Sequence, residues 1–531
     1  MLVGWTACND SFDAHYSEDA GVTPEATLWN LIEQDANLTT FKALAEATGY
    51  DALLKSSQAF TVFAPTNEAL LGLDLTTASQ SHLNDIIRTH IARFKYIAGA
   101  ELSPTVYTLN AKRIPFEYDG AKYTMKGSEL EKINLLASNG ILHTLKTPVP
   151  FVKNVWEYLT EQELDSIHKF FEAFHTRLFM PGSSKIIDYV GGYAVYDSAF
   201  VESNTMWQLY SNYSGNAVGY LNGVGYINNE DSLYTMILPT NTAWNAAYAQ
   251  RFPYFETSAA DADSLQHLNT QYSIIQDLVF RGKIDSSSLP DSLISTQSNV
   301  FSDPATLFSG TTPPYIASNG LVYTTDDLKH THWESWQHPL TVEAERGVIT
   351  LKEGTGDVTP NVLYAYLPAK PDIPSEACLL ITNGLAGTKG MPTSIFFDVP
   401  NTLKATYNVY AVFAPMRYRD EAVSARRERT RILYAIQQLD RSTATKPADQ
   451  QIWNTLETDD DGNTIGQATD SAAVKKILLK QNFTLPEANF NEKTTTIRIK
   501  LISAAVTRNA DLTAGFNNRM LLDKIIFEPV H

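Results

Sequence analysis

The chain has 531 residues, a formal net charge of -18 and 44% hydrophobic residues. That length exceeds what one hydrophobic core organises, so about two to four domains are expected. The acidic balance argues against nucleic acid, whose phosphates need Lys and Arg, and gives no polybasic attraction to an anionic membrane. No run of about 18 apolar residues is present, so no transmembrane helix is expected.

The two cysteines are Cys8 and Cys378, too few for a disulfide framework. Cys378, inside Ala377-Cys378-Leu379-Leu380-Ile381, reads as a buried, inert thiol. The run Val3-Gly4-Trp5-Thr6-Ala7-Cys8 resembles the end of a bacterial lipoprotein signal, followed by the polar stretch Asn9-Asp10-Ser11-Phe12-Asp13. That resemblance implies a lipid on Cys8, a tether over residues 1–23 and a place on the outer surface of an outer membrane.

Residues 24–150 read as a first domain. Leu28, Leu31 and Ile32 mark one helix face, and Phe41, Leu44 and Ala45 a second, with Gly49 as a break. Thr61-Val62-Phe63-Ala64 is β-prone and ends at Pro65, and Thr66 or Asn67 is placed to cap a helix from Glu68. Leu83 to Ile91 is again helical. Tyr107 to Lys126 reads as short strands around an Asp119-Gly120 turn. Asn139-Gly140 then opens a last strand, Ile141 to Leu145.

Helices followed by Thr-Val-Phe-Ala-Pro-Thr-Asn-x-Ala, then by Asn139-Gly140-Ile141-Leu142-His143, resemble the fasciclin-type domain. Where that family often has Tyr-His, this chain has Thr89-His90. Lys146 stands near the position where the family usually has an acidic residue. The resemblance implies a role in adhesion or protein interaction.

The same signals recur over residues 151–338. Trp156 echoes Trp29, Pro239-Thr240-Asn241 echoes Pro65-Thr66-Asn67, and Asn319-Gly320 echoes Asn139-Gly140. The second copy carries an insertion of roughly 47 residues before its strand–proline element, at about 186–233. It is rich in Tyr, Asn, Gly and Ser. Tyr193, Tyr196, Trp207, Tyr210, Tyr213 and Tyr220 are the candidate ligand-binding residues, since aromatic rings stack on sugars or anchor protein partners. The alternative is hairpins whose aromatics cover the domain. Asp277-Leu278 and Tyr323 replace Thr89-His90 and His143, so the first copy's histidines read as packing or hydrogen-bonding residues. The joint from Lys329 to His338 holds His330, His332 and His338. A His-x-His strand would put two rings on one face for a metal, but an interface role is favoured, and Trp333 and Trp336 are expected to pack the joint.

Residues 339–531 change to short strands with Pro, Gly and Asn between them, which predicts a β-sandwich. Ser394 to Val399, Tyr407 to Val412 and the ending Met520 to Pro529 resemble the jelly roll of galactose-binding-like modules. Glu421 to Asp440 reads as a helical, polar excursion. Glu457 to Gly462 has the first acids of a calcium loop, but Ala468 stands where the bidentate acid belongs, so Asp459 to Asp461 read as a plain polar loop.

The expected fold class is thus α+β: two fasciclin-like α/β domains followed by a β-sandwich. Hydrolase, nucleotide-binding and metalloprotease signatures are absent from the sequence, and no cofactor is implied. The expected function is non-catalytic: a lipid-anchored surface protein that binds a partner or ligand, accessory to an outer-membrane nutrient importer. Direct polysaccharide binding and a structural spacer are the alternatives.

Overall fold

The computed structural model describes residues 24–530 apart from 100–101, 163–164, 181–184, 191–192, 198–199, 208–220, 350–359, 367–376, 384–392, 419–428, 440–452, 455–456, 459–463, 466, 493–494, 505 and 507–514. Two compact units form. The first holds residues up to Tyr158 with Asn228–Ser232 and Ala317–Asn319, and the second holds the rest.

In the first unit the central strand is β1, Phe60–Pro65. It pairs antiparallel with β2, Ile91–Arg93, and parallel with the hairpin strand after β3, Leu135–Ala137, which is β4, Gly140–Leu145. The strand order is therefore β2-β1-β4-β3. Every residue of β1 and β4 is buried. Both faces are covered, so the polar–apolar alternation of a half-exposed strand is missing. Phe60, Val62 and Ala64 point to one side and join Leu28, Ile32, Phe41 and Leu44 of the helices Leu28–Gln34 and Thr39–Thr48. Phe63 points the other way and packs with Val106, Ile114, Phe116 and Met125. Those belong to a small sheet of Thr105–Tyr107, Arg113–Tyr118, Tyr123–Met125 and Ser128–Glu129. The expected Asp119-Gly120 turn is there, held by Asp119 Oδ1 accepting from the amides of Ala121 and Lys122.

The helix expected from Glu68 does not form. Residues 67–72 make successive turns, because Gly72 with φ +95° stops the run after five residues.

The second unit repeats the frame. Its strands are β5, Tyr234–Pro239, β6, Val279–Arg281, β7, Tyr315–Ala317, and β8, Gly320–Thr325. Their order, β6-β5-β8-β7, and the parallel register of β5 on β8 copy the first sheet position for position. Here the capped helix does form, over Asn241–Arg251, with Thr240 as its N-cap. Within the insertion Lys185–Val190 pairs antiparallel with Tyr193–Asp197, and Phe200–Asn204 pairs antiparallel with His175–Phe179 just before it. Residues 221–226 form no strand, so the hairpin reading of the insertion does not extend to them.

Two antiparallel sheets complete this unit. One runs Pro360–Tyr366, Ala377–Asn383, Met520–Pro529, Thr406–Ala414, Lys475–Thr484, with Leu340–Glu343 also on Met520–Pro529. The other runs Val348–Ile349, Thr393–Asp398, Ile497–Ser503, Ile432–Gln438, Trp453–Asn454. Residues of both meet in one core, for example Ile395, Phe397 and Ile499 against Val409, Ile477 and Phe527. Ile432–Gln438 corrects the helical reading of that region: its alternate residues are buried on the sheet, a period of two. The core extends to Phe255 and Trp336, so the second module and the sandwich share apolar contacts. Cys378 is fully buried, which raises its thiol pKa to about 12.

Gly140 and Gly320 explain the parallel pairing. A Cβ on Gly140 would lie 2.0 Å from the carbonyl oxygen of Phe60, and one on Gly320 1.9 Å from that of Tyr234. Any side chain must push the central strands apart. We expect Gly140→Ala and Gly320→Ala each to lower the free energy of unfolding by on the order of 4 kcal/mol, or to prevent folding. Urea titration of the full chain, against a Gly99→Ala control where a Cβ meets only Ile97 Cγ2 at 3.8 Å, measures this.

Candidate functional site

The polar residues of the fasciclin-like motifs are spent inside the fold. Asn139 is buried; its Oδ1 accepts from the Leu28 amide at 2.7 Å, and its Nδ2 donates to the carbonyls of Leu54 and Ser56 at 2.9 and 2.6 Å. It thereby fixes the start of the first helix and the end of the helix Tyr50–Lys55. Asn319 repeats the role: Oδ1 accepts from Val155 at 2.8 Å and Nδ2 donates to Asn229 O at 3.0 Å. Asn67 Oδ1 accepts from the Thr40 amide at 2.9 Å while Nδ2 donates to Ala36 O at 2.9 Å. A buried amide with every group paired costs little and fixes geometry.

The two histidines are equally committed. His90 is buried, donates from Nδ1 to Ile86 O at 2.8 Å and accepts at Nε2 from the Val149 amide at 2.9 Å. His143 stacks on Phe63, with centroids 4.9 Å apart. Its Nε2 donates to Tyr96 O at 2.9 Å, and Nδ1 accepts from the Asn134 amide at 3.3 Å. Burial drives both pKa values down to about 4, so both rings are neutral near pH 7. In the second sheet the Tyr323 hydroxyl donates to Ile284 O at 3.0 Å. Ile284 lies as far past β6 as Tyr96 lies past β2, so the phenol replaces the imidazole in the same bond. Thr61 and Thr235, which sequence patterning marks only as strand residues, match likewise. Thr61 Oγ1 donates to Phe94 O and accepts from Tyr96 N, and Thr235 Oγ1 donates to Gly282 O and accepts from Ile284 N, at 2.8–2.9 Å.

A loop missed by the sequence reading also recurs. Thr108–Lys112 and Ser295–Asn299 are tight turns closed by amide-to-carbonyl bonds of 3.1 and 2.9 Å. Each carries a non-glycine residue at positive φ, Ala111 at 61° and Ser298 at 70°. In the first unit the loop delivers Lys112, 4% exposed, to Glu157 at 2.5 Å and Glu230 at 2.6 Å. In the second unit it delivers Asn299, whose Nδ2 donates to both oxygens of the buried Asp277 at 3.1 Å. Asp277 also accepts from Ser295 and Ser335 at 2.6 Å, yet burial, the larger effect, holds its pKa above the usual carboxylate value. The open feature of the first unit is a largely apolar groove of about 510 Å³, lined by Leu70, Leu71, Ile86, Val149 and Phe151, in which Leu71 is 81% exposed.

The insertion aromatics are placed in part. Tyr193 and Tyr196 lie on the strand Tyr193–Asp197. Trp207 is buried at 6% exposure and meets the His175 ring edge-on, so it has no open stacking face. Tyr210, Tyr213, Tyr220, Cys8 and the Asp459–Asp461 loop lie outside the described residues. The joint histidines do not sit on a strand: His332–Glu334 is a single 3₁₀ turn. No cluster of three metal-ligating side chains occurs among the described residues. Trp336 is buried in the core, whereas Trp333 is 48% exposed.

The family model of the fasciclin domain matches residues 36–149. Residues 36–149 are a fasciclin domain. Curated relatives include the transforming growth factor-beta-induced protein ig-h3 of Oryctolagus cuniculus, 29% identical over 120 residues, which is 21% of this chain and 18% of that protein. Stabilin-1 of Homo sapiens is 26% identical over 133 residues, 23% of this chain and 5% of that protein. The chain thus spans less than a fifth of either relative. Among solved structures, a FAS1 domain pair from the insect cell adhesion molecule fasciclin I aligns at 13% identity and a TM-score of 0.21, covering 56% of this chain and 98% of that one. The Clostridium thermocellum xylanase 10B CBM22-1–GH10 modules align at 8% and 0.19, covering 37% and 27%. Neither alignment is close enough to carry an argument.

The buried histidines set a pH dependence for the fasciclin domain. Each takes its proton near pH 4 when folded and near 6.5 when unfolded. Between those values the unfolded chain holds more protons, so stability is complete above about pH 6.5 and falls as pH drops towards 4, by on the order of 3 kcal/mol per histidine. We expect His143→Gln to flatten that slope in denaturant titrations at pH 4 to 7. An unchanged slope in both His143→Gln and His90→Asn would show that other groups set it.

Proposed function

We propose that this chain is a non-catalytic surface protein that works by binding, built from two fasciclin-type modules and a C-terminal jelly-roll sandwich. The observation that carries the reading is the commitment of the motif residues. Asn67, His90, Asn139 and His143 are hydrogen-bonded within the fasciclin domain, and the two imidazoles are held neutral and away from solvent. A general base needs reach to a substrate proton, and these rings have none. The match of residues 36–149 to the fasciclin domain supports an adhesion or binding role. The recurrence of strand order and register in the second sheet, and of the Asn-Gly clamp at Asn319-Gly320, supports a tandem pair.

The attachment we propose is a lipid on Cys8, with residues 1–23 as a tether, at the outer face of an outer membrane. No helix among the described residues is long and apolar enough to cross a membrane. The partner we propose is an outer-membrane nutrient transporter, with this chain as its accessory component.

Surface labelling in the native cell tests this. The full-length product should react with a membrane-impermeant biotin reagent, fractionate with the outer membrane and co-purify with the transporter. Cys8→Ala should be released to the soluble fraction while keeping its thermal midpoint. A wild-type product protected from the reagent in intact cells, or a Cys8→Ala product that stays membrane-bound, contradicts the assignment.

A further inference from the structure

The second unit contains a cavity of about 250 Å³ that no motif marked. It draws on the end of the insertion, on the second fasciclin-like module, on the joint and on two sandwich loops. Its volume lies just below the roughly 300–1,000 Å³ typical of drug-sized ligands, which suits one small ring. Among the described residues its lining contains amides, aromatic rings, leucines and His338, and no Lys, Arg, Asp or Glu side chain.

The hydrogen bonds decide which amide atoms remain for a ligand. Asn299 turns its Nδ2 to Asp277, which leaves Oδ1 free. Gln297 donates from Nε2 to Gly223 O at 2.7 Å, which leaves Oε1 free. Asn269 donates to Phe490 O at 2.9 Å, so its own Oδ1 accepts from Asn491 Nδ2 at 3.0 Å, and Asn491 keeps a free Oδ1. His338 donates from Nδ1 to Ser335 O at 2.8 Å, so its Nε2 is an acceptor. Four acceptors therefore belong to the lining. One oriented donor stands against them, Nδ2 of Asn401, whose Oδ1 accepts from the Asn491 backbone N–H, while the side-chain amides of Gln276 and Asn222 each offer a donor and an acceptor. Gln276 is 8% exposed, and its side-chain amide makes no hydrogen bond to the described residues.

We propose that this cavity binds a neutral saccharide ring, one pyranose unit of a glycan. Hydroxyls both donate and accept, and here the excess of acceptors calls for ligand donors. A phosphate or carboxylate only accepts and meets no cation here. The rings of Trp336, Tyr272 and Tyr407 line the cavity at 5%, 6% and 1% exposure, so they give it apolar edges rather than an open stacking face, and recognition rests on the polar groups. Gln297 and Asn299 stand on the loop whose counterpart carries Lys112, so the same tight turn holds an ion cluster in one unit and a ligand wall in the other. The assignment goes beyond the adhesion reading and stands whether or not Cys8 is lipidated.

Saturation-transfer NMR and calorimetry on the full chain test it with galactose, glucose, mannose and N-acetylglucosamine, alongside glucuronate and trialanine. At least one neutral sugar should bind, and glucuronate should bind at least tenfold more weakly than glucose. Gln276→Leu and Asn401→Ala should each weaken the neutral sugar at least tenfold, a loss read directly in Kd. Asn401 is exposed on a loop, so its variant keeps the test intact if Gln276→Leu fails to fold. No binding of any neutral sugar at tens of millimolar, preference for trialanine, or sugar binding that persists in folded variants overturns the proposal. None of these outcomes bears on membrane attachment, which the Cys8→Ala comparison reads separately.

Discussion

The close parallel approach of β1 and β4 is the constraint on which the first unit depends. It requires a residue without Cβ where β4 begins, and it requires the preceding turn to be tied down. Gly140 meets the first requirement, since any side chain would strike the Phe60 carbonyl. Asn139 meets the second by bonding the first helix and the end of the third. With the strands so placed, the two faces of β1 divide between helices and the small sheet, and His143 is pressed against Phe63. Gly320 and Asn319 impose the same conditions on the second sheet, which explains why register is shared although sequence is not.

A rigid frame of that kind leaves specificity to the segments hung on it. The turn ending at Lys112 and the turn ending at Asn299 have the same backbone and opposite uses. One places a cation among carboxylates, where removing either partner would strand a buried charge. The other places a neutral amide between a buried acid and an open cavity. The chemistry of the turn's last residue changed while the frame was kept. The substitution of His143 by Tyr323 is a milder case, in which different side chains serve one backbone carbonyl.

Much of the frame was legible in the sequence because it rests on residues with few alternatives. Pro65 and Pro239 ended strands, Gly49 ended a helix, and Asn-Gly opened the paired strand in both sheets. The sandwich strands Thr406–Ala414 and Met520–Pro529 stood out as apolar β runs. Local context hid the rest. The sequence leaves Thr66 or Asn67 as the cap, and Thr66 Oγ1 accepts from the Ala69 amide, but Gly72 ends the run before a helix forms, and Ile432–Gln438 is hidden inside a charged region. Trp207 reads from the sequence as a candidate ligand-binding ring because composition cannot tell a covered ring from an offered one. The cavity was invisible for another reason: its walls come from positions between 222 and 491, joined only by tertiary packing.

Hydrogen exchange of Asn139→Ala and Asn319→Ala, read residue by residue in the full chain, tests the clamp most directly. The account predicts lost protection at the amides of Leu28 and the first helix for Asn139→Ala, and at Val155 and its helix for Asn319→Ala, each change confined to its own sheet and helices. Unchanged protection at Leu28 and Val155 in folded variants would contradict it, because the asparagines would then be free of the architectural duty assigned to them.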